Sequence, residues 1–159
     1  GMIRGGHGRD VHGQVEGRKL ILCGVEIPHT LGLLGHSDAD VASHALMDAL
    51  LGAAALGDIG KLFPDTDERY RGADSLMLLD RVMEALGEAG YRPVNADVTI
   101  VAQKPKLRPY IDQMRVHLAR HMGVDVSQVS VKATTSEGMG FEGEEKGMTA
   151  HAVCLIESI

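Results

Sequence analysis

GHSDADVASHALMDALLGAAALGDIGKLFPDTD, residues 35–67, decides how this chain is read. Helix formers without a proline fill 39–56, so the stretch predicts a helix. Val41, Ala45, Ala49 and Ala53 fall four apart in one apolar row, which Leu46, Leu50 and Ala54 widen into a core-facing surface. Ser37 with Asp40 three residues on resembles a capping box, with an acid where Glu or Gln is usual. Asp40, His44 and Asp48 make a second row. Alone, such a row would more readily be a polar face turned to water. A helix needs no imidazole between two carboxylates, however, so this one is read as presenting His44, with Asp48 expected to steady the ring. The tail supports that reading. Gly57-Asp58-Ile59-Gly60 and then Phe63-Pro64-Asp65-Thr66-Asp67 make a small-residue loop with three carboxylates, more particular than a connector requires.

Upstream, residues 2–8 predict an opening strand that delivers Asp10 and His12. Two apart in an extended chain, they project to one side. Asp-x-His alone is common. With His44 it becomes two imidazoles and a carboxylate, the catalytic zinc pattern of three protein ligands and an open fourth position. Residues 19–27 read as a strand pair bent at Gly24, and Gly32 and Gly35 predict a flexible loop before His36.

Downstream, 75–89 predicts a helix capped by Asp74 or Ser75 and stopped by Gly90, with Leu76, Leu79, Val82, Met83 and Leu86 as its core stripe. Residues 92–103 alternate as a half-buried strand. Pro105 and Pro109 bracket a stiff loop over 104–108, and a helix over 110–122 ends at Gly123. Strands follow at 129–134, ending in Thr134-Thr135-Ser136-Glu137, and at 148–156. The expected class is α+β, a mixed sheet packed on helices.

Bulk properties narrow the function. The chain has 159 residues, the size of a single domain. Gly1 ahead of Met2 reads as an added remnant, so that domain is expected over 2–159. A net charge of −6 argues against a nucleic-acid surface, and an anionic substrate would need local cations or metals. Cys23 and Cys154, far apart in apolar runs, predict buried free thiols in a reducing compartment. No apolar run is long enough to cross a membrane and no signal segment is evident, so a cytoplasmic protein is expected.

Six motifs then occur in order: Gly8-x-Asp10-Val11-His12; Gly35-His36-Ser37-Asp38-x-Asp40-Val41-x-x-His44; Gly57-Asp58-Ile59-Gly60; Phe63-Pro64-Asp65-Thr66-Asp67; Gln103-x-Pro105-Lys106; and Lys132-Ala133-Thr134-Thr135-x-Glu137. Together they resemble the 2-C-methyl-D-erythritol 2,4-cyclodiphosphate synthases of the non-mevalonate isoprenoid pathway. The resemblance implies a homotrimer with sheets around the three-fold axis and active sites between subunits. It implies a cytidine diphosphate-containing substrate, 4-diphosphocytidyl-2-C-methyl-D-erythritol 2-phosphate, cyclised with release of CMP by a phosphorus–oxygen lyase.

By the same resemblance Asp10, His12 and His44 bind one Zn²⁺ per subunit, and Glu137 binds a second divalent cation, Mg²⁺ or Mn²⁺, on the diphosphate. His36 and Thr135 match the positions that stabilise the transition state. Ser37, Asp58, Ile59, Gly60, Phe63, Pro64, Asp65, Thr66 and Asp67 match the substrate pocket on the erythritol side. Ala102, Gln103, Lys104, Pro105, Lys106, Leu107 and Arg108 match a cytosine-binding loop read through backbone groups. That suits a chain with no Trp and 3% aromatics. Thr134, Ser136, Glu137 and Phe141 continue the substrate site, and Lys132 is as readily structural. His7, His29, His117, His121 and His151 have no partner set.

Two other classes fit the same residues: a metal-dependent phosphohydrolase of nucleotide diphosphates, and a non-catalytic trimer binding a nucleotide or isoprenoid. One departure from the resemblance stands out. The family's Arg-x-Glu after Phe141 is here Glu144-Glu145-Lys146, and an often apolar position is Arg9. Arg9 or Lys146 is expected to pair with Glu144.

Overall fold

The chain begins with one long strand, β1 (Ile3–Glu16), and closes with another, β7 (Gly147–Ser158), which pairs antiparallel with it from Ile3↔Glu157 to Gly13↔Gly147. In this computed structural model, which describes residues 1–159, the elements between them are β2 (Leu20–Leu22), β3 (Val25–Ile27), β4 (Leu31–Leu33), α1 (Val41–Ala53), α2 (Ile59–Leu62), α3 (Ser75–Glu88), β5 (Tyr91–Val101), α4 (Ile111–Met122), β6 (Val129–Thr134) and α5 (Gly140–Gly143). The main sheet runs β4-β1-β7-β5-β6, with only the β5–β6 pair parallel. This is the expected mixed sheet on helices. No helix is long and apolar enough to cross a membrane.

Helix α1 lies on β1 and β7, and two glycines make that contact possible. A Cβ at Gly6 would stand 2.0 Å from the Ala49 carbonyl oxygen, and one at Gly8 would stand 2.0 Å from that of Ala45. Even-numbered residues of β1 therefore face the helix, because side chains alternate along a strand. Asp10 and His12 continue that face and meet His44, which is buried on α1. The apolar row is buried as expected, with Leu46 and Leu50 fully enclosed. Each contributes about 1.5–3 kcal/mol of burial.

The start of α1 differs from the capping box read at Ser37. Asp40 is the N-cap, accepting from the Ser43 amide at 3.0 Å and its hydroxyl at 2.8 Å. The same carboxylate takes the amides of Cys23 (2.9 Å) and Gly24 (2.8 Å), tying the β2–β3 turn to the helix. Buried Asp40 spends its oxygens on structure. Gly32, expected in a loop, lies in β4 opposite Val15, where a Cβ would meet the Arg18 carbonyl oxygen at 2.0 Å. Helix α3 is capped by Asp74, and α4 ends at Gly123 with φ +70°.

Beyond the end of β7 that α5 covers at Thr149, the sheet's second face is uncovered. Ile3, Val11, Val153 and Leu155 lie there exposed, on the sides of β1 and β7 away from α1.

Candidate active site

Three lone-pair atoms converge between β1 and α1. Asp10 Oδ2 lies 2.8 Å from His12 Nε2 and 3.1 Å from His44 Nδ1, and the two nitrogens are 3.2 Å apart. The outer nitrogens determine what faces inward. His12 Nδ1 is 2.9 Å from the Leu34 carbonyl, which can only accept, so Nδ1 carries the proton and Nε2 is bare. Ser75 donates its hydroxyl to the Asp38 carboxylate, so its oxygen accepts from His44 Nε2 at 2.9 Å. His44 Nδ1 is then bare as well.

Three acceptors this close require a positive charge among them. Without an ion, imidazole protons turned inward would supply it: burial works to raise the Asp10 carboxyl, but such hydrogen bonds from His12 and His44 outweigh it and hold Asp10 well below the ordinary carboxylate range. Burial works to lower His12, but its bond to Asp10 holds it above the ordinary value. The donor types and their tautomers fit a zinc ion with one position left open. Of the eight histidines, only His12 and His44 join a group of three ligand atoms.

Asp48 does not steady His44. Its carboxylate accepts from the Ile59 amide at 2.8 Å, which anchors α2 to α1. The polar row is thus half-buried or buried, but its members have separate tasks. Asp38 and Ser75 hold the imidazole instead, and Ser37 Oγ lies 3.2 Å from the same nitrogen. Ser75, 31 residues from His44, carried no local signal.

The triad opens into a cavity of about 370 Å³, also lined by His36, Ser37, Ile59, Gly60, Phe63 and Asp65 from the expected set, and by Tyr70 and Leu78, which sequence did not single out. Tyr70 meets the Phe63 ring edge-on at 5.2 Å. His36 Nε2 donates to the Asp67 carbonyl at 2.9 Å. Asp58 caps α2 through the Lys61 amide, and Asp67 is held by Arg69. Those two carboxylates, with Pro64 and Thr66, stay outside the cavity wall.

A second cavity, about 700 Å³, is lined by Ala102, Gln103, Pro105, Lys106, Leu107, Arg108, Thr134 and Thr135, with Val131, Lys132 and Ala133 as further wall. Lys132 is committed to Asp97 at 2.6 Å. Gln103 accepts from the Gly138 amide at 3.1 Å, joining the 102–108 loop to the turn after β6. At that turn Thr135 Oγ1 accepts from the Glu137 amide, and Ser136 donates to Glu142. The Glu137 carboxylate is exposed and makes no bond within the chain. Phe141 is exposed nearby, and Lys104 lies outside the wall.

The two cavities are not one site within a single chain. Asp10, Ala150, Ile100 and Ala133 form one row across β1, β7, β5 and β6. Three strand spacings separate the triad from the end of β6, about 14 Å.

Residues 3–157 match the YgbB family. This chain belongs to that family. The 2-C-methyl-D-erythritol 2,4-cyclodiphosphate synthase of Desulfitobacterium hafniense is 62% identical over 157 residues, 98% of this chain and 99% of that protein. A solved structure of 2C-methyl-D-erythritol-2,4-cyclodiphosphate synthase in its CDP-bound form superposes with a TM-score of 0.89 at 41% identity, covering 97% of this chain and all of that one. The bifunctional IspDF of Campylobacter jejuni gives 0.96 at 42% identity, with 99% of this chain spanning 43% of the larger one.

Outside both cavities, this YgbB-family chain keeps its other histidines in local contacts. His7 Nε2 lies 3.3 Å from His151 Nδ1, His117 Nδ1 donates to the Cys23 carbonyl, and His121 Nδ1 lies 2.7 Å from Asp80. His29 approaches Glu145 at 3.9 Å. At the departing turn Lys146 Nζ stands 3.9 Å from Glu144, both exposed. Arg9 bears instead on Glu142, whose carboxyl the Ser136 hydroxyl first of all holds low.

Proposed function

We propose that this chain is a zinc-dependent 2-C-methyl-D-erythritol 2,4-cyclodiphosphate synthase. It converts 4-diphosphocytidyl-2-C-methyl-D-erythritol 2-phosphate to the 2,4-cyclodiphosphate and CMP. The observation that carries this reading is the convergence of Asp10, His12 and His44 on one point in the wall of a cavity, three bare acceptors that need a cation.

An oxygen of the substrate's own 2-phosphate attacks the β-phosphorus. One P–O bond forms as the bond to CMP breaks, so the protein supplies no nucleophile. Its task is to hold two anionic groups in line and to meet charge as it moves. A zinc ion held by Asp10, His12 and His44 would supply Lewis-acid polarisation of a phosphate oxygen. Glu137, unengaged within the chain, would hold Mg²⁺ or Mn²⁺ at the diphosphate. His36 and Thr135 donate to phosphate oxygens as charge develops. Ser37 and the 58–67 segment receive the erythritol part, and the 102–108 loop with Thr134 to Glu137 receives cytidine diphosphate.

The working unit in this reading is a homotrimer. Two observations support it: the half-sites lie about 14 Å apart in one chain, and the uncovered sheet face exposes Ile3, Val11, Val153 and Leu155. Stacking that face around an axis would bury it, and in this reading one copy's triad meets another's cytidine cavity.

Incubation with the substrate and product analysis by phosphorus NMR tests the assignment. CMP with a cyclic diphosphate is expected, and chelation or His44→Ala should remove both. CMP with a linear phosphate would make the chain a hydrolase. Bound zinc without turnover would make it a binding protein.

A further inference from the structure

The turn that carries His36 is fixed from behind by a residue outside both half-sites. Arg18, on the turn between β1 and β2, places Nη1 3.2 Å from the Gly35 carbonyl and Nη2 3.0 Å from the Ser37 carbonyl, straddling His36. The His36 carbonyl between them accepts from the Gly72 amide at 2.8 Å. All three carbonyls of the turn are therefore engaged. Within the chain the hydrogen bonds of the Arg18 guanidinium go to this turn.

The consequence follows from peptide geometry. In a planar trans peptide the N–H points opposite to the preceding C=O. With the Gly35 carbonyl drawn to Arg18, the His36 amide points the other way. Arg18 lines a separate cavity of about 590 Å³ behind the turn, and the triad cavity lies in front, with residues 35–37 as the shared wall. The amides of His36 and Ser37 have no acceptor within the chain. The His36 ring, carried on the same backbone, is held further through Nε2, which donates to the Asp67 carbonyl.

We infer that Arg18 is a positioning residue for the cyclisation: by holding the Gly35 and Ser37 carbonyls it turns the His36 amide and ring toward the phosphate that reacts in the triad cavity. A flat, two-pronged donor suits this task, since an ammonium has no fixed fork with which to hold two carbonyls at a set spacing. The inference rests on the proposed function and deepens it.

Arg18→Gln and Arg18→Lys, compared with His36→Ala, test it. Arg18→Gln is expected to lower kcat about tenfold, part of the cost of losing one preorganised donor. KM, CDP affinity, zinc content and Tm should stay at wild-type values, because the cytidine cavity and the triad keep their own supports. Arg18→Lys should recover part of the turnover. An unchanged kcat in Arg18→Gln beside an impaired His36→Ala overturns the inference and leaves the function standing. So does a fall in kcat matched by equal losses in CDP affinity and Tm, which would make Arg18 a general fold support. Full turnover in His36→Ala together with wild-type kcat in Arg18→Gln removes the role of the turn itself, and the inference with it.

Discussion

Ser75 Oγ lies 2.9 Å from His44 Nε2, on the imidazole edge opposite Asp10. Because Asp38 takes the Ser75 proton, this contact sets which His44 nitrogen is bare. Ser75→Ala should thus weaken zinc binding by about 10–100-fold, the usual cost of losing a partner of a metal-bound imidazole. A competition titration with a zinc indicator measures it. Wild-type affinity in the variant would show that the tautomer is set elsewhere.

Thr135 stands in the wall of the second cavity, proposed to receive cytidine diphosphate, beside Glu137. As a donor to developing charge, its loss should cost turnover on the order of 3 kcal/mol and leave CDP binding nearly intact. Steady-state kinetics and calorimetry with CDP separate the two. Weaker CDP binding at unchanged kcat would reassign Thr135 to ground-state binding.

Asp48 offers a test by pH. Burial foremost raises its carboxyl above the ordinary value, against the opposing hydrogen bond from the Ile59 amide. A group with a raised folded pKa binds its proton more tightly in the native state, so it costs stability as pH rises from the unfolded value through the folded one. Asp48→Asn keeps an oxygen for the Ile59 amide and removes the charge. In chelator-treated protein its Tm should exceed wild type at pH 7 and approach it at pH 4. A constant difference across that range would argue against the charge as the cause.

Burial pushes the Cys154 thiol up to about 11 and raises Cys23 as well. At pH 8, three units lower, about one Cys154 in a thousand is thiolate. Iodoacetamide should leave native protein unlabelled and modify both cysteines in denaturant, read by mass spectrometry. Rapid native labelling would mean that the strand carrying Cys154 opens readily.

Gly8 admits α1 to the sheet, since a Cβ there would stand 2.0 Å from the Ala45 carbonyl oxygen. Gly8→Ala must push away the helix that bears His44. A stability loss of about 1–3 kcal/mol or more is expected, with reduced zinc stoichiometry in the folded fraction. Denaturant unfolding and metal analysis report the two effects.

Periodicity made α1, α3, α4 and β5 legible, because each shows a buried face at the spacing of its own geometry. The triad was legible too, since Asp10 and His12 share a strand side and His44 stands in a polar row on a helix. Long-range partners were not. Asp48 sits four residues from His44 and looked like its support, while the real support, Ser75, arrives from α3 by tertiary packing. The loop read over Gly32 failed for a similar reason. That glycine marks a close backbone approach by Arg18 rather than flexibility.

The separation of the triad from the end of β6 has a genetic consequence. A chain carrying His44→Ala lacks a metal end, and one carrying Thr135→Ala lacks the donor at its β6 end, so each alone would turn over slowly or not at all. Co-expressed, the two lesions would meet in mixed copies of the proposed trimer, where a sound triad from one chain would face a sound β6 end from the other. Two alleles that each fail alone would then complement inside one cell. Complementation of that kind is something that a site built within one chain could never show.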